Sequence, residues 1–97
     1  MSGVELIADE RKRQVEFEGW FSNHDDGHGY DQLAIAACCY ALPSRLRGVD
    51  GSYKAPPHMW PWGSNWWKPT PNDRIRELVK AGALIAAEID RLKRGTP

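Results

Sequence analysis

The chain carries no net charge: 13 Lys and Arg are balanced by 13 Asp and Glu among 97 residues. Without a basic excess there is no broad field to hold a duplex backbone, which counts against general nucleic-acid binding but leaves room for a local basic patch. No apolar run approaches the roughly 20 residues that cross a bilayer, so no membrane segment is expected. The opening MSGVELIADE has no basic region followed by an apolar stretch, so no signal peptide is expected. Cysteine is scarce: Cys38 and Cys39 are the only two, and they are adjacent. Neighbouring side chains on a helix diverge, so a disulfide between them would be strained. They read as small buried apolar residues in a reducing compartment, the cytoplasm by default. At this length the chain is expected to form one domain with a modest core, which association with a second copy would help.

What is present is concentrated between His24 and Leu42, HDDGHGYDQLAIAACCYAL. The first half of this stretch is the densest cluster of ionisable groups in the protein. The second half, from Leu33, has no charge. An amphipathic surface helix would show polar residues every third or fourth position. The expectation is therefore a central helix buried on nearly all sides, with the His/Asp cluster at or before its N-terminal end.

The predicted architecture is all-α: three helices at about 4–18, 31–42 and 71–94, with an irregular loop over 43–70. In the first helix Leu6, Ile7 and Phe17 share a face with Glu10 and Gln14. If that face is inward, Glu10 is carried towards the core and needs a partner: an arginine such as Arg13 or Arg74, a metal, or a ligand group. Proline at 43 closes the central helix. The loop is rich in Gly and Pro and then in tryptophan. Trp60 and Trp67 are expected to seal the core, whereas Trp62 and Trp66 are open to a binding role. For the last helix, Thr70 is the expected N-cap and Pro71 the first helical residue. Ile75, Leu78, Val79, Gly82, Ile85, Ala86, Ile89 and Leu92 form an apolar stripe that predicts the core-facing side. Gly82 is expected to pack closely on the alanine-rich central helix. Leu84, with Ala83 and Ala87, lies off that stripe and suggests a subunit contact.

His24, Asp25, Asp26 and His28 fall within five residues. That composition suits a divalent cation or acid/base chemistry, and equally suits helix capping with hydrogen-bonded histidines. Glu10, Asp25, Asp26 and His28 are the metal-ligand candidates, with Mg²⁺ the ion in question. The polar wall of a site is expected from Glu10, Arg13, Gln14, His24, Asp25, Asp26 and His28. Trp62 and Trp66 would stack on a ligand and Arg74 would contact phosphate.

The segments ER-x-RQ at 10–14, EGW at 18–20, HDDGH at 24–28, WPW at 60–62, WWKP at 66–69 and LVKAGALIAAEIDRL at 78–92 cover nearly the whole chain. Together they resemble a family of small phage and prophage accessory proteins, also found as the C-terminal part of phage early-region accessory proteins. The resemblance implies a setting in the bacterial host cytosol. Asn23 stands where an acidic residue is expected in such relatives. Three functions compete. One is a binding protein that antagonises host defence by sequestering a nucleotide-like ligand, as a homo-oligomer. Another is a MazG-like, metal-dependent nucleotide pyrophosphohydrolase; its paired E-x-x-E and E-x-x-D helical motifs are absent, with Glu77, Glu88 and Asp90 spaced differently. The third is an inhibitor directed at a host protein, with the tryptophan loop as anchor.

Overall fold

The computed structural model describes residues 1–17, 31–47 and 55–95. These form three α-helices: α1 (Gly3–Phe17), α2 (Gln32–Ala41) and α3 (Arg74–Lys93). Two short 3₁₀ turns, Ser44–Leu46 and Ser64–Trp66, lie between α2 and α3, and there is no strand among the described residues. The fold is all-α, as expected from sequence. Helix α3 is the axis: α1 and α2 both pack against it. No helix among the described residues is long and apolar enough to cross a membrane.

Helix α1 begins with a reciprocal cap. The Glu5 amide donates to Ser2 Oγ at 3.2 Å, and the Ser2 amide donates to Glu5 Oε1 at 2.9 Å. Two otherwise unpaired donors are thereby satisfied. Leu6 and Ile7 are half-buried, and Glu10 and Gln14 are buried with them. Ile7 sits directly on Gly82 of α3: a Cβ at Gly82 would lie 2.4 Å from Ile7 Cδ1. The glycine thus admits α1, not the alanine-rich central helix that the sequence suggested.

Helix α2 is entered through Asp31 in the left-handed region, φ 66°, with no side-chain cap. It ends at Leu42, whose extended backbone is the geometry proline imposes on the residue before it. Leu33, Ala36, Ala37, Cys39 and Tyr40 are buried. Cys38 and Ala41 are exposed, so the helix is not sheathed on every side and its two thiols point opposite ways. Burial pushes the Cys39 thiol up to about 11, which keeps it protonated and inert.

The start of α3 lies later than expected. Asp73, not Thr70, is the N-cap, accepting from the Arg76 amide at 3.0 Å. Thr70 instead closes a preceding turn, in which the Asp73 amide donates to the Thr70 carbonyl at 2.9 Å. The orientation of α3 departs from the prediction: Val79 of the stripe is buried and Gly82 is covered by Ile7, but the rest of its large side chains turn outward. Ile75, Leu78, Ile85, Ile89 and Leu92 are exposed. Ala81, Leu84 and Ala87 instead join Leu33, Ala36, Ala37, Cys39, Tyr40, Trp60 and Trp67 in one cluster. Leu84 therefore belongs to the core. Small side chains explain the choice: alanines let two backbones close on each other where isoleucines would hold them apart. Glu77, Glu88 and Arg91 are buried on the same side as Leu84. Each is neutralised locally; Arg91 Nε donates to Glu88 Oε1 at 2.6 Å one turn earlier.

Candidate functional site

The aromatic loop builds one wall of a cavity. Tyr40 and Trp67 stack at 4.7 Å, and Trp60 meets both edge-on at 5.6 and 5.0 Å. Trp62 packs edge-on against Trp60 at 5.2 Å, its indole N–H donating to Gln32 Oε1 at 3.2 Å. Trp60 and Trp67 are thus core residues, as expected. Trp62 is half-buried and Trp66 is 57% exposed. The Lys68 amide donates to the Tyr40 hydroxyl at 3.0 Å, which ties the end of the loop to α2. Burial pushes that hydroxyl up to about 12.

The polar side of α1 and α3 lines the same cavity. Glu10 is only 3% exposed. Arg13 grips both its oxygens at 2.8 Å, and Arg76 Nη1 donates to Oε1 at 2.6 Å. Burial pushes the Glu10 carboxyl up, but bonds and charge from these two guanidinia outweigh it and hold the group below the usual carboxylate range. Gln14 Nε2 donates to Glu10 Oε2 at 3.3 Å. Lys80 reaches in from α3, with Nζ 2.6 Å from the Lys68 carbonyl and 5.4 Å from the centre of the Tyr40 ring.

These groups enclose a cavity of about 630 Å³, within the range of small-molecule sites. Trp60, Trp62 and Trp66 line it together with Glu10, Arg13 and Gln14; Tyr40, Lys68, Arg76, Lys80 and Leu84 complete it. Four cationic side chains face one carboxylate. A second hollow of about 320 Å³ shares Glu10, Arg13 and Arg76 with it.

Five of the expected site residues therefore meet at one place: Glu10, Arg13, Gln14, Trp62 and Trp66. Arg74 does not join them. Its guanidinium donates to the carbonyls of Tyr40, Ala41 and Leu42 and to Glu77 Oε1. His24, Asp25, Asp26 and His28 lie outside the described residues. Among the described residues no three His, Cys, Asp or Glu side chains converge as a metal site. The sequence reading did not assign Arg76 and Lys80. Their signal was there, since residues four apart share a helix face with Leu84, but it was hidden by the assumption that the isoleucine side faced inward.

A second arginine–carboxylate cluster lies beyond the cavity lining. Arg47 is fully buried and binds Glu77 through two nitrogens, at 2.8 and 3.1 Å. It also donates to the Cys39 and Tyr40 carbonyls at 3.1 and 2.7 Å. With Arg74, it satisfies the last carbonyls of α2, which the helix itself leaves unpaired. The Thr70 amide donates to Glu77 Oε2 at 3.1 Å. Burial pushes the Glu77 carboxyl up, and the bonds from Arg47, Thr70 and Arg74, with the Arg47 charge, hold it below its ordinary value. No protein-family model, curated protein or solved structure matches the chain.

Proposed function

We propose that this chain binds a nucleotide-like ligand in the cavity between the tryptophan loop and helices α1 and α3. The carrying observation is the meeting of indoles and cations in the lining of one hollow: Trp62 and Trp66 with Arg13, Arg76, Lys68 and Lys80. Indole faces stack on any nucleobase, and guanidinium and ammonium groups hold phosphate oxygens. Resemblance to phage accessory proteins supplies the setting: sequestration of a nucleotide signal, to the detriment of host defence. Such a sponge needs tight binding and no activation of a leaving group. Association of two copies belongs to this reading. The exposed aliphatic side of α3 supports it, and light scattering across a concentration series tests it.

The ligand reading is tested by a thermal-shift screen of nucleotides and cyclic nucleotides, with and without Mg²⁺, followed by chromatography of each mixture. The expected result is stabilisation with the ligand recovered intact. Recovery of cleaved nucleotide would replace this reading with the pyrophosphohydrolase. No shift with any nucleotide would leave the host-protein inhibitor, with exposed Trp66 as its anchor.

A further inference from the structure

Resting on the nucleotide reading, we infer that Arg76 is the phosphate seat of the cavity: its Nε and Nη2 form an open fork for two unesterified oxygens of one phosphate, and Glu10 holds that fork ready. Arg76 lines the cavity and binds Glu10 through Nη1 alone. Its Nε and Nη2 have no hydrogen-bond partner among the described residues, and they are not sealed in, since the side chain is 32% exposed. Two other arginines of this protein show what such a pair of nitrogens does. Arg13 closes Nε and Nη2 on the two oxygens of Glu10, both at 2.8 Å. Arg91 closes the same pair on Glu88, at 2.6 and 3.1 Å. In Arg76 that edge of the guanidinium is left open, while Nη1 is tied to a buried carboxylate.

An open fork matches an anion with two oxygens on one centre, which it meets with two parallel charge-assisted bonds. Glu10 supplies the orientation. Its bond from Nη1 restrains the guanidinium, so less side-chain freedom is lost when a ligand arrives. The remaining cations of the lining are placed differently. Arg13 has its fork on Glu10, and Lys80 donates to the Lys68 carbonyl. Lys68 is exposed and makes its bonds through its backbone, which leaves its ammonium on a flexible stem. These charges draw an anion in, whereas Arg76 sets its position. Arg76 lines both hollows, and the indoles line only the larger. A base stacked on Trp62 or Trp66 therefore shares its hollow with the fork. The ligand that satisfies both is a nucleoside carrying a phosphate with two free oxygens.

The test is titration calorimetry of the whole protein with the four common ribonucleosides, their 5′-monophosphates, and inorganic phosphate alone. A monophosphate is expected to bind at least about tenfold more tightly than its nucleoside, the scale set by hydrogen bonds to a charged group, and more tightly than inorganic phosphate. Arg76→Lys keeps the charge and removes the fork. It should weaken the monophosphate about tenfold and leave the nucleoside affinity unchanged. A merely structural arginine would weaken both alike, and that result would overturn the inference. A second measurement needs no variant: in the unaltered protein, one arginine Nε–H signal in a nitrogen–proton NMR spectrum should move on adding monophosphate and stay on adding nucleoside. Absence of that movement, or equal binding of nucleoside and monophosphate, would overturn the fork and leave binding of the base intact. Inorganic phosphate binding as tightly as every monophosphate would keep the fork and remove the nucleotide reading. Failure of all the probes to bind would remove both.

Discussion

Two carboxylates in this molecule are each held by two arginines, and they are used in opposite ways. Glu77 lies in a cluster whose bonds all go to protein: Arg47 is fully buried, Arg74 is 39% exposed, and both bond Glu77 and the end of α2. Glu10 is as deeply placed, but neither of its arginines is fully buried and both line a cavity. One cluster joins three chain segments. The other presents charge to a space that a ligand can enter. The lesson is that an arginine–carboxylate pair is read by what surrounds it, because the pairing itself looks alike in both.

The sharpest way to break this comparison is to remove one arginine from each cluster. Arg47→Met strips the Glu77 cluster of its buried cation, and breaking a buried pair costs about 3–5 kcal/mol. Urea unfolding should show that loss. A cost under 1 kcal/mol would mean the Glu77 cluster is no clamp. Gly82→Val tests the seat of α1, which carries Glu10 to the cavity. Forcing a side chain against Ile7 should cost about 1–3 kcal/mol, and adding Ile7→Ala should recover part of it. No recovery in the double variant would break the link between Gly82 and Ile7. Arg76→Met is expected to cost only about 1 kcal/mol of stability, because Arg13 remains and both arginines meet solvent. Its larger effect should be on nucleotide affinity, and a stability loss matching that of Arg47→Met would erase the distinction.

The mildest probe is acid. Both carboxyls sit below the ordinary value of 4.5 in the folded protein. Their contribution is therefore present above that value and is lost as pH falls through the lowered ones. Thermal unfolding should hold steady from neutral pH down to about 5 and then decline. Glu77→Gln and Glu10→Gln should each flatten the decline. A profile unchanged by both substitutions would show that neither carboxyl is linked to folding.

Much of this arrangement was legible in the chain. A charge-free helix, a proline stop and a tryptophan-rich connection pointed to a three-helix body, and the placement of Glu10 and Gln14 on the inward face of α1 followed from the 3.6-residue period. Partnership of Glu10 with Arg13 was visible one turn away. Arg76 was not, because it depends on how α1 lies across α3. The error over α3 has the same root. Its aliphatic stripe and its alanine face are both regular, and periodicity locates faces without ranking them. The ranking came from Gly82 and the alanines, which let neighbours close in, and from Glu88 and Arg91, which satisfy each other. A further hint was available: Glu77, Leu84, Glu88 and Arg91 recur at helical spacing. The cap at Ser2 and Glu5 is also readable, as a serine three residues before a glutamate.

The aromatic packing gives this protein a natural optical label. Four rings in van der Waals reach of one another, at 4.7 to 5.6 Å, should couple their transitions and give a strong near-ultraviolet circular dichroism band. That band reports the core. Trp66, projecting into water at the cavity mouth, should emit at longer wavelength and be reached first by a dissolved quencher such as iodide. Core and cavity can therefore be followed separately in one cuvette, without attaching any dye.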